Sequence, residues 1–269
     1  MLHVDAGPVR SAGPVPRVAF TTVEEGNLAL HVADDGPAVH RRRAAVASAL
    51  RVDRVHYMDQ VHSADVVVPA RGTPPADRAP TADALVTDDD GAALAVMVAD
   101  CVPVVLVGVP AGTGSGRTAP GAGRSGTVRA VAHAGRRGLL AGILPATVAR
   151  MRTLEADLEI TAWIGPAICG SCYEVPEEMA QQAEAEQPGI RAATAWGTPS
   201  LDLPGAAAVQ LRAAGAAVVP SGICTLEDPR FYSYRRDNGC GRFAGLAWMG
   251  AAADADPAHT PDNTTGTTP

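Results

Sequence analysis

The sequence predicts an α/β fold built on mixed sheets. Three observations point there: apolar runs of strand length recur, helix-length segments fall between them, and the alternation shows neither a strict βαβ rhythm nor an internal repeat. A length of 269 residues, 46% of them hydrophobic, suits one large domain or two small ones with a substantial core.

The elements follow in order. Residues 1–16 are rich in Gly and Pro and are expected to form a flexible N-terminal arm, with one domain over 17–250. Residues 18–22 read as a first strand and 38–50 as a helix rich in Arg and Ala. Residues 55–61 alternate like a strand that leads to His62, and 65–68 look like the next. Residues 92–99 form an unbroken apolar run, a buried strand ending at Asp100-Cys101, and 102–107 continue as another. The Gly/Ser/Pro/Ala stretch 110–127 is expected as a flexible loop insertion between two strands. Residues 128–132 deliver His133, after which Gly135 begins a turn into a helix starting near Leu139. Helices are expected over 140–154, 176–187 and 203–214, the second opening on Pro176-Glu177-Glu178, which suits a helix N-terminus. Residues 251–269, rich in Asp, Thr, Pro and Gly, are expected as a disordered tail.

Composition narrows the function. A net charge of −7 and a pI near 5.5 argue against a general nucleic-acid binder. No stretch approaches the ~20 apolar residues of a membrane span, and residues 1–16 lack a signal-peptide core, so a cytoplasmic location is expected. Five Cys, an odd number, fit reduced thiols better than a disulfide framework. The chain contains no lysine, which excludes Schiff-base chemistry and a phosphate-loop lysine. Every basic side chain is Arg, whose planar fork suits phosphate.

Three short segments each carry a transition-metal ligand: Gln60-Val61-His62-Ser63, Ala99-Asp100-Cys101 and Ala132-His133-Ala134-Gly135. Two His and one Cys form the three-ligand set of a catalytic zinc site with an open fourth position. Spacings of 39 and 32 residues mean that only the fold can bring them together, and common bond lengths then require ligand atoms within ~4 Å of one another. Taken singly, a Cys after an apolar strand is most often core. Asp100 is either a general acid/base or a buried, hydrogen-bonded carboxylate, because adjacent strand residues face opposite ways. The same alternation would send at most one of Arg136 and Arg137 inward.

The order of six motifs is more specific than any one of them. Gln60-Val61-His62, Ala82-Asp83-Ala84-Leu85-Val86-Thr87, Ala99-Asp100-Cys101-Val102-Pro103 and Ala132-His133-Ala134-Gly135-Arg136-Arg137-Gly138 come first. Ile164-Gly165-Pro166 with Cys172-Tyr173-Glu174-Val175, then Phe231-Tyr232-Ser233-Tyr234-Arg235-Arg236-Asp237, complete the set. In these the chain resembles the laccase-domain (polyphenol oxidase) family, later read as purine nucleoside phosphorylases, with a bacterial branch implicated in peptidoglycan-precursor editing. The resemblance sharpens the fold to a single domain of stacked mixed sheets flanked by helices. It implies zinc on His62, Cys101 and His133, with copper the alternative, and phosphorolysis of adenosine, inosine and methylthioadenosine plus adenosine deamination. The implied partners are therefore a nucleoside and phosphate, with no nucleic acid or membrane. Substrate contacts are expected at Arg43, Arg137, Arg242, Tyr234 and Arg235, with Cys101, His62, His133 and Asp100 catalytic. The chain departs from the family pattern at Arg136, where Trp is usual, and at Cys240-Gly241-Arg242, where Thr-Gly-Arg is usual.

Other readings stay open. A metal-dependent hydrolase of a peptidoglycan precursor would use the same metal site, and a metal-free Cys/His nucleophilic hydrolase would use Cys101 as nucleophile and His133 as base. Copper oxidase chemistry is least supported, since such centres consume many imidazoles and no His-x-His pair occurs. Cys169-Gly170-Ser171-Cys172 lacks a second Cys pair at knuckle spacing and reads as a tight turn with buried thiols. The remaining His residues, His3, His31, His40, His56 and His259, read as structural or solvated.

Overall fold

In a computed structural model, residues 1–4, 14–74, 79–111 and 125–251 are described. The strands are β1 (Leu2–Val4), β2 (Val15–Phe20), β3 (Arg54–His56), β4 (Val66–Val67), β5 (Ala84–Thr87), β6 (Ala92–Val98) and β7 (Val102–Pro110). They continue as β8 (Val128–Ala134), β9 (Leu158–Ile164), β10 (Arg191–Ala193), β11 (Pro199–Leu201), β12 (Ala216–Pro220) and β13 (Phe243–Gly250). The helices are α1 (Gly36–Leu50), α2 (Arg136–Leu140), α3 (Ile143–Leu154), α4 (Glu177–Glu186) and α5 (Leu203–Ala213). The expected α/β domain of stacked mixed sheets is borne out. Of the two large sheets, one runs β1-β2-β13-β6-β3 and the other β12-β9-β7-β8-β5-β4, each combining parallel and antiparallel neighbours, while β10 and β11 pair apart as a two-stranded antiparallel sheet.

Period-two alternation explains the layering. On β6, Leu94, Val96 and Val98 face the second sheet, where they meet Leu85, Val105, Val131 and Trp163. The intervening Ala93, Ala95 and Met97 face outward and are covered by Val46 and Leu50 of α1. On β7, Val102, Val104 and Leu106 take the opposite face, under Leu139, Leu144, Val148 and Leu211 of the helices. β6 and most of β7 are thus buried on both faces, which is why they read as unbroken apolar runs. Gly165 lies where the layers meet, and a Cβ there would run into the Phe20 ring.

Several elements differ from expectation, each for a physical reason. The helix expected over 140–154 is two helices, broken where Gly142 takes φ +83°. His133 lies within β8, one residue short of its end, rather than beyond it. The alternating run 55–61 is a strand only to His56, and His62 follows in an irregular segment at φ +63°. The segment 1–16 contributes β1, paired to β2, and the first residues of β2 itself. Most of 110–127, and all of 252–269, lie outside the described residues.

The ends of that insertion are nevertheless fixed. β7 and β8 are antiparallel neighbours, paired from Val102↔Ala134 at one end to Gly108↔Val128 at the other. The ligand-bearing residues sit at the first end, and the insertion joins the strands at the second, roughly 20 Å away by the ~3.3 Å rise per residue. Ser125 anchors the return to Asp90 through bonds of 3.0 and 2.8 Å. Replacing residues 112–124 by a few Gly/Ser residues should change the urea midpoint little, since loop closure varies by only about 0.6 kcal/mol per doubling of length. Turnover should be kept; its loss in a folded variant would place the insertion in the functional machinery.

Candidate metal centre

The site is assembled around a carboxylate. Asp83, fully buried just before β5, accepts hydrogen bonds from the backbone N–H groups of Val61 (3.2 Å), His62 (2.9 Å) and Ser63 (2.6 Å). It also accepts from the Ser63 hydroxyl (2.9 Å) and engages His133 Nδ1 at 2.8 Å. Three consecutive N–H groups on one anion make a backbone nest, and this nest holds His62 at its positive φ. Gln60 fixes the same segment to β6, its amide exchanging bonds of 2.7 and 2.9 Å with the Met97 backbone.

His62, Cys101 and His133 offer ligand atoms that all lie within 4.8 Å of one another, somewhat wider than the ~4 Å expected for a metal-bound set. Cys101 Sγ is 3.8 Å from His62 Nε2, and the two imidazoles meet edge to face at 4.7 Å. With Nδ1 of His133 committed to Asp83, its Nε2 is left for a metal, the second-shell arrangement that fixes tautomer and basicity. Gly135 completes the fit: a Cβ there would run into the His62 ring and come within 3.1 Å of Cys101 Sγ.

Electrostatics follow from these contacts. Burial opposes the ionised Asp83 carboxylate, but bonds from His133 and Ser63 outweigh it and hold its pKa down to about 2. Burial would likewise raise the Cys101 thiol, yet the neighbouring imidazoles pull it down to about 6. Burial disfavours a charged His133, but Cys101 and Asp83 raise it to about 9. Without metal, each partner thus favours the charged form of the other, the thiolate of Cys101 and the imidazolium of His133. The donor chemistry, one thiolate and two imidazoles, fits zinc.

A cavity of about 460 Å³ opens over these residues, within the range of small-molecule sites. Arg136, Arg137, Arg235, Arg242 and Tyr234 line it, as does Asp100. Arg136 and Arg137 both reach it because they form the first turn of α2 and are not on a strand, so alternation does not apply. His31, read as structural or solvated, lines the cavity as well. Arg43 is not among the lining residues: its guanidinium stacks on Tyr57 at 3.8 Å and bonds the Leu28 carbonyl at 2.8 Å. Asp100, at φ +84° between β6 and β7, accepts from the Thr225 hydroxyl and the Arg235 N–H, each at 2.6 Å. Both oxygens are engaged, which favours the hydrogen-bonded reading over general acid/base work. Asp83 is the residue that reasoning from sequence did not single out, although its motif was visible.

The family model for multi-copper polyphenol oxidoreductase laccase matches residues 16–250. The chain belongs to this laccase-like family. A Streptomyces coelicolor relative named purine nucleoside phosphorylase SCO2081 is 45% identical over 236 residues, covering 86% of this chain and 91% of the relative. The Mycobacterium tuberculosis protein named purine nucleoside phosphorylase Rv2149c is 40% identical, covering 88% of this chain and 89% of its own. Among solved structures, Neisseria meningitidis protein NMB0706 superposes with a TM-score of 0.72 at 30% identity, covering 93% of this chain and 99% of that one. YlmD from Geobacillus stearothermophilus gives 0.71 at 31% identity, covering 93% and 97%. For this laccase-like chain no second His cluster accompanies the first among the described residues.

Two outcomes follow from the site. Metal must displace the proton that His133 holds, so zinc affinity should climb about ten-fold per pH unit from pH 7 until it levels near pH 9. Competition against a chromophoric chelator measures this, and a flat profile over that interval would contradict the thiolate–imidazolium pair. Asp83→Asn removes the charge that orients His133 and gathers the nest. It should lower zinc affinity about 10–100-fold and cost several kcal/mol of stability, at about 1.5–3 kcal/mol for each charge-assisted bond lost, read from urea unfolding.

Proposed function

We propose that this chain is a zinc-dependent purine nucleoside phosphorylase acting on adenosine, inosine and methylthioadenosine, with adenosine deamination at the same site. The observation that carries the reading is charge placement. In a chain of net charge −7, four guanidinium groups line the one cavity that also holds three imidazoles, those of His31, His62 and His133, and the Cys101 sulfur. Phosphorolysis needs an anion held against the sugar, and an acidic protein must concentrate positive charge locally to hold it. The Streptomyces coelicolor and Mycobacterium tuberculosis relatives, each named a purine nucleoside phosphorylase, support the same chemistry.

His62, Cys101 and His133 would hold the metal, and when bound, zinc supplies a Lewis-acid positive charge beside the reacting oxygens. The chain's own groups do the rest. Arg137 and Arg242 hold phosphate through paired N–H donors, and the cavity walls limit water around the nucleoside. Tyr234, stacked against Arg242 at 5.7 Å, and Tyr173, facing Arg235 at 5.3 Å, offer aromatic surfaces for a base. Asp100 positions Arg235 by accepting its backbone N–H and does not move a proton. Arg136 stands where an aromatic platform is usual in the family, which biases this chain toward anionic over stacking contacts. No helix among the described residues is long and apolar enough to cross a membrane, and we place the enzyme in the cytoplasm.

Product analysis with adenosine, with and without phosphate, tests the assignment: ribose 1-phosphate with adenine marks phosphorolysis, inosine marks deamination. Arg137→Gln and Arg242→Gln should each raise the apparent KM for phosphate by roughly ten-fold or more, from about 1.5–3 kcal/mol per charge-assisted bond. Deamination, which uses water, should suffer less. Equal losses in both reactions would assign these Arg residues to the nucleoside or the fold, and a parent enzyme indifferent to phosphate would remove the phosphorylase reading.

A further inference from the structure

The Cys169–Cys172 turn has a partner that Cys counting alone does not find. Cys169, Cys172, Cys224 and Glu227 offer four ligand atoms, all within 4.8 Å of one another. The two halves repeat one backbone design. The N–H of Cys172 donates to the Cys169 carbonyl at 3.0 Å, and the N–H of Glu227 donates to the Cys224 carbonyl at 3.2 Å. The following residue closes on the same carbonyl in each, Tyr173 at 3.0 Å and Asp228 at 2.9 Å. Each half is therefore a tight turn presenting side chains at i and i+3 to one point. An isolated parallel bridge, Ala167↔Cys224, sets the turns against each other, and the Cys169 N–H donates to Cys224 Sγ at 3.5 Å. All three cysteines are free thiols, two of them buried, and Cys172 Sγ lies 3.6 Å from Glu227 Oε1.

We propose that Cys169, Cys172, Cys224 and Glu227 form a second, structural zinc site. Four protein ligands close the coordination sphere, which distinguishes it from the open three-ligand centre. Three thiolates select a soft or borderline metal, and tetrahedral bonds of about 2.3 Å place sulfurs about 3.8 Å apart, inside the 4.8 Å within which these ligand atoms lie. Arg236, bonded to the carbonyls of Thr225 at 2.9 Å and Leu226 at 3.1 Å, places positive charge beside this electron-rich set.

The location gives the metal a task. Between β12 and β13, residues 221–242 run without helix or strand, longer than most ordered loops, and carry Thr225, Tyr234, Arg235 and Arg242. Cys172 and Cys224 of the two turns pack with Ile168 in one small apolar cluster, against which Cys169, Tyr173 and Leu226 lie. Thr225, next to Cys224, bonds Asp100, and Ile168, next to Cys169, donates its N–H to the Asp100 carbonyl at 3.0 Å. Zinc there would tie the long segment to the cavity wall.

Full-length protein purified from zinc-supplied cells should contain about two zinc equivalents per chain by elemental analysis. Cys172→Ser with Cys224→Ser should retain about one, and Cys101→Ala should retain the other. Metal content unchanged in the double variant would overturn the proposal. Should that variant fail to fold, Cys101→Ala loaded with cobalt isolates the second cluster, because no other grouped thiolates remain among the described residues. A thiolate-to-cobalt charge-transfer band there supports the site, and its absence overturns it. Glu227→Gln should weaken zinc binding roughly ten-fold or more, at least the loss seen for outer-shell partners, and Glu227→Cys should restore it. Fewer than five titratable thiols in the unfolded, chelated parent would mean a disulfide and end the assignment.

Discussion

The Asp83 carboxylate is the constraint on which the centre depends. It is buried and charged, and such a group is tolerated only when its lone pairs are filled. Here three successive backbone N–H groups, a hydroxyl and an imidazole fill them. One anion thereby fixes the backbone of one ligand, His62, and the ring of another, His133. Its own carbonyl also accepts the His133 N–H at 2.7 Å, so β8 is locked to the same residue. The strain is small beside this. A non-glycine residue at positive φ costs about 1–3 kcal/mol, whereas each charge-assisted bond returns about 1.5–3 kcal/mol.

The second strained residue shows the same logic at the seam between the layers. β6 belongs to one sheet and β7 to the other, and the chain crosses between them in Ala99-Asp100-Cys101. A crossing that short requires a sharp reversal, and Asp100 supplies it at φ +84°. Asp and Asn reach this conformation more readily than other non-glycine residues. The carboxylate then collects Thr225 and Arg235 from the long segment before β13. Cys101 emerges at the first turn of the new sheet beside His133, so ligand position follows from topology rather than from loop conformation.

What was legible in the sequence was whatever depended on burial. The runs at β6 and β7 were readable because both faces are covered, and α4 because it opens on Pro176-Glu177-Glu178; the Asp35 and Asp202 caps of α1 and α5 emerge only from the structure. The three candidate ligands were legible because few residue types bind transition metals. What escaped was set by tertiary contacts. The alternation over 55–61 promised a strand to His62, but Asp83 captures 61–63 and bends the chain away. Arg43 matched a family position, yet its guanidinium is satisfied by Leu28 and Tyr57. Cys224 went unpaired in a count of thiols because its i+3 partner, Glu227, is a carboxylate.

The two ends of the central strands divide the protein's tasks. At one end of β7 and β8 stand Cys101, His133 and the guanidinium-lined cavity; at the other, Arg129, fully buried, bonds the Ala92 carbonyl at 2.6 Å and the Asp89 carbonyl at 2.5 Å. That Arg closes the turn before β6 through its two terminal nitrogens, and the low-complexity insertion joins the strands at this end. The ligand-bearing end is closely packed. Gly135 leaves no room for a Cβ beside His62 and Cys101, and at Gly138 a Cβ would come within 2.9 Å of the Ser63 carbonyl. Close approach of α2 to the nest is thus what gathers the two imidazoles and the Cys101 sulfur within 4.8 Å of one another. It also carries Arg136 and Arg137 to the cavity rim, so the candidate metal site and the proposed anion site depend on a single packing contact.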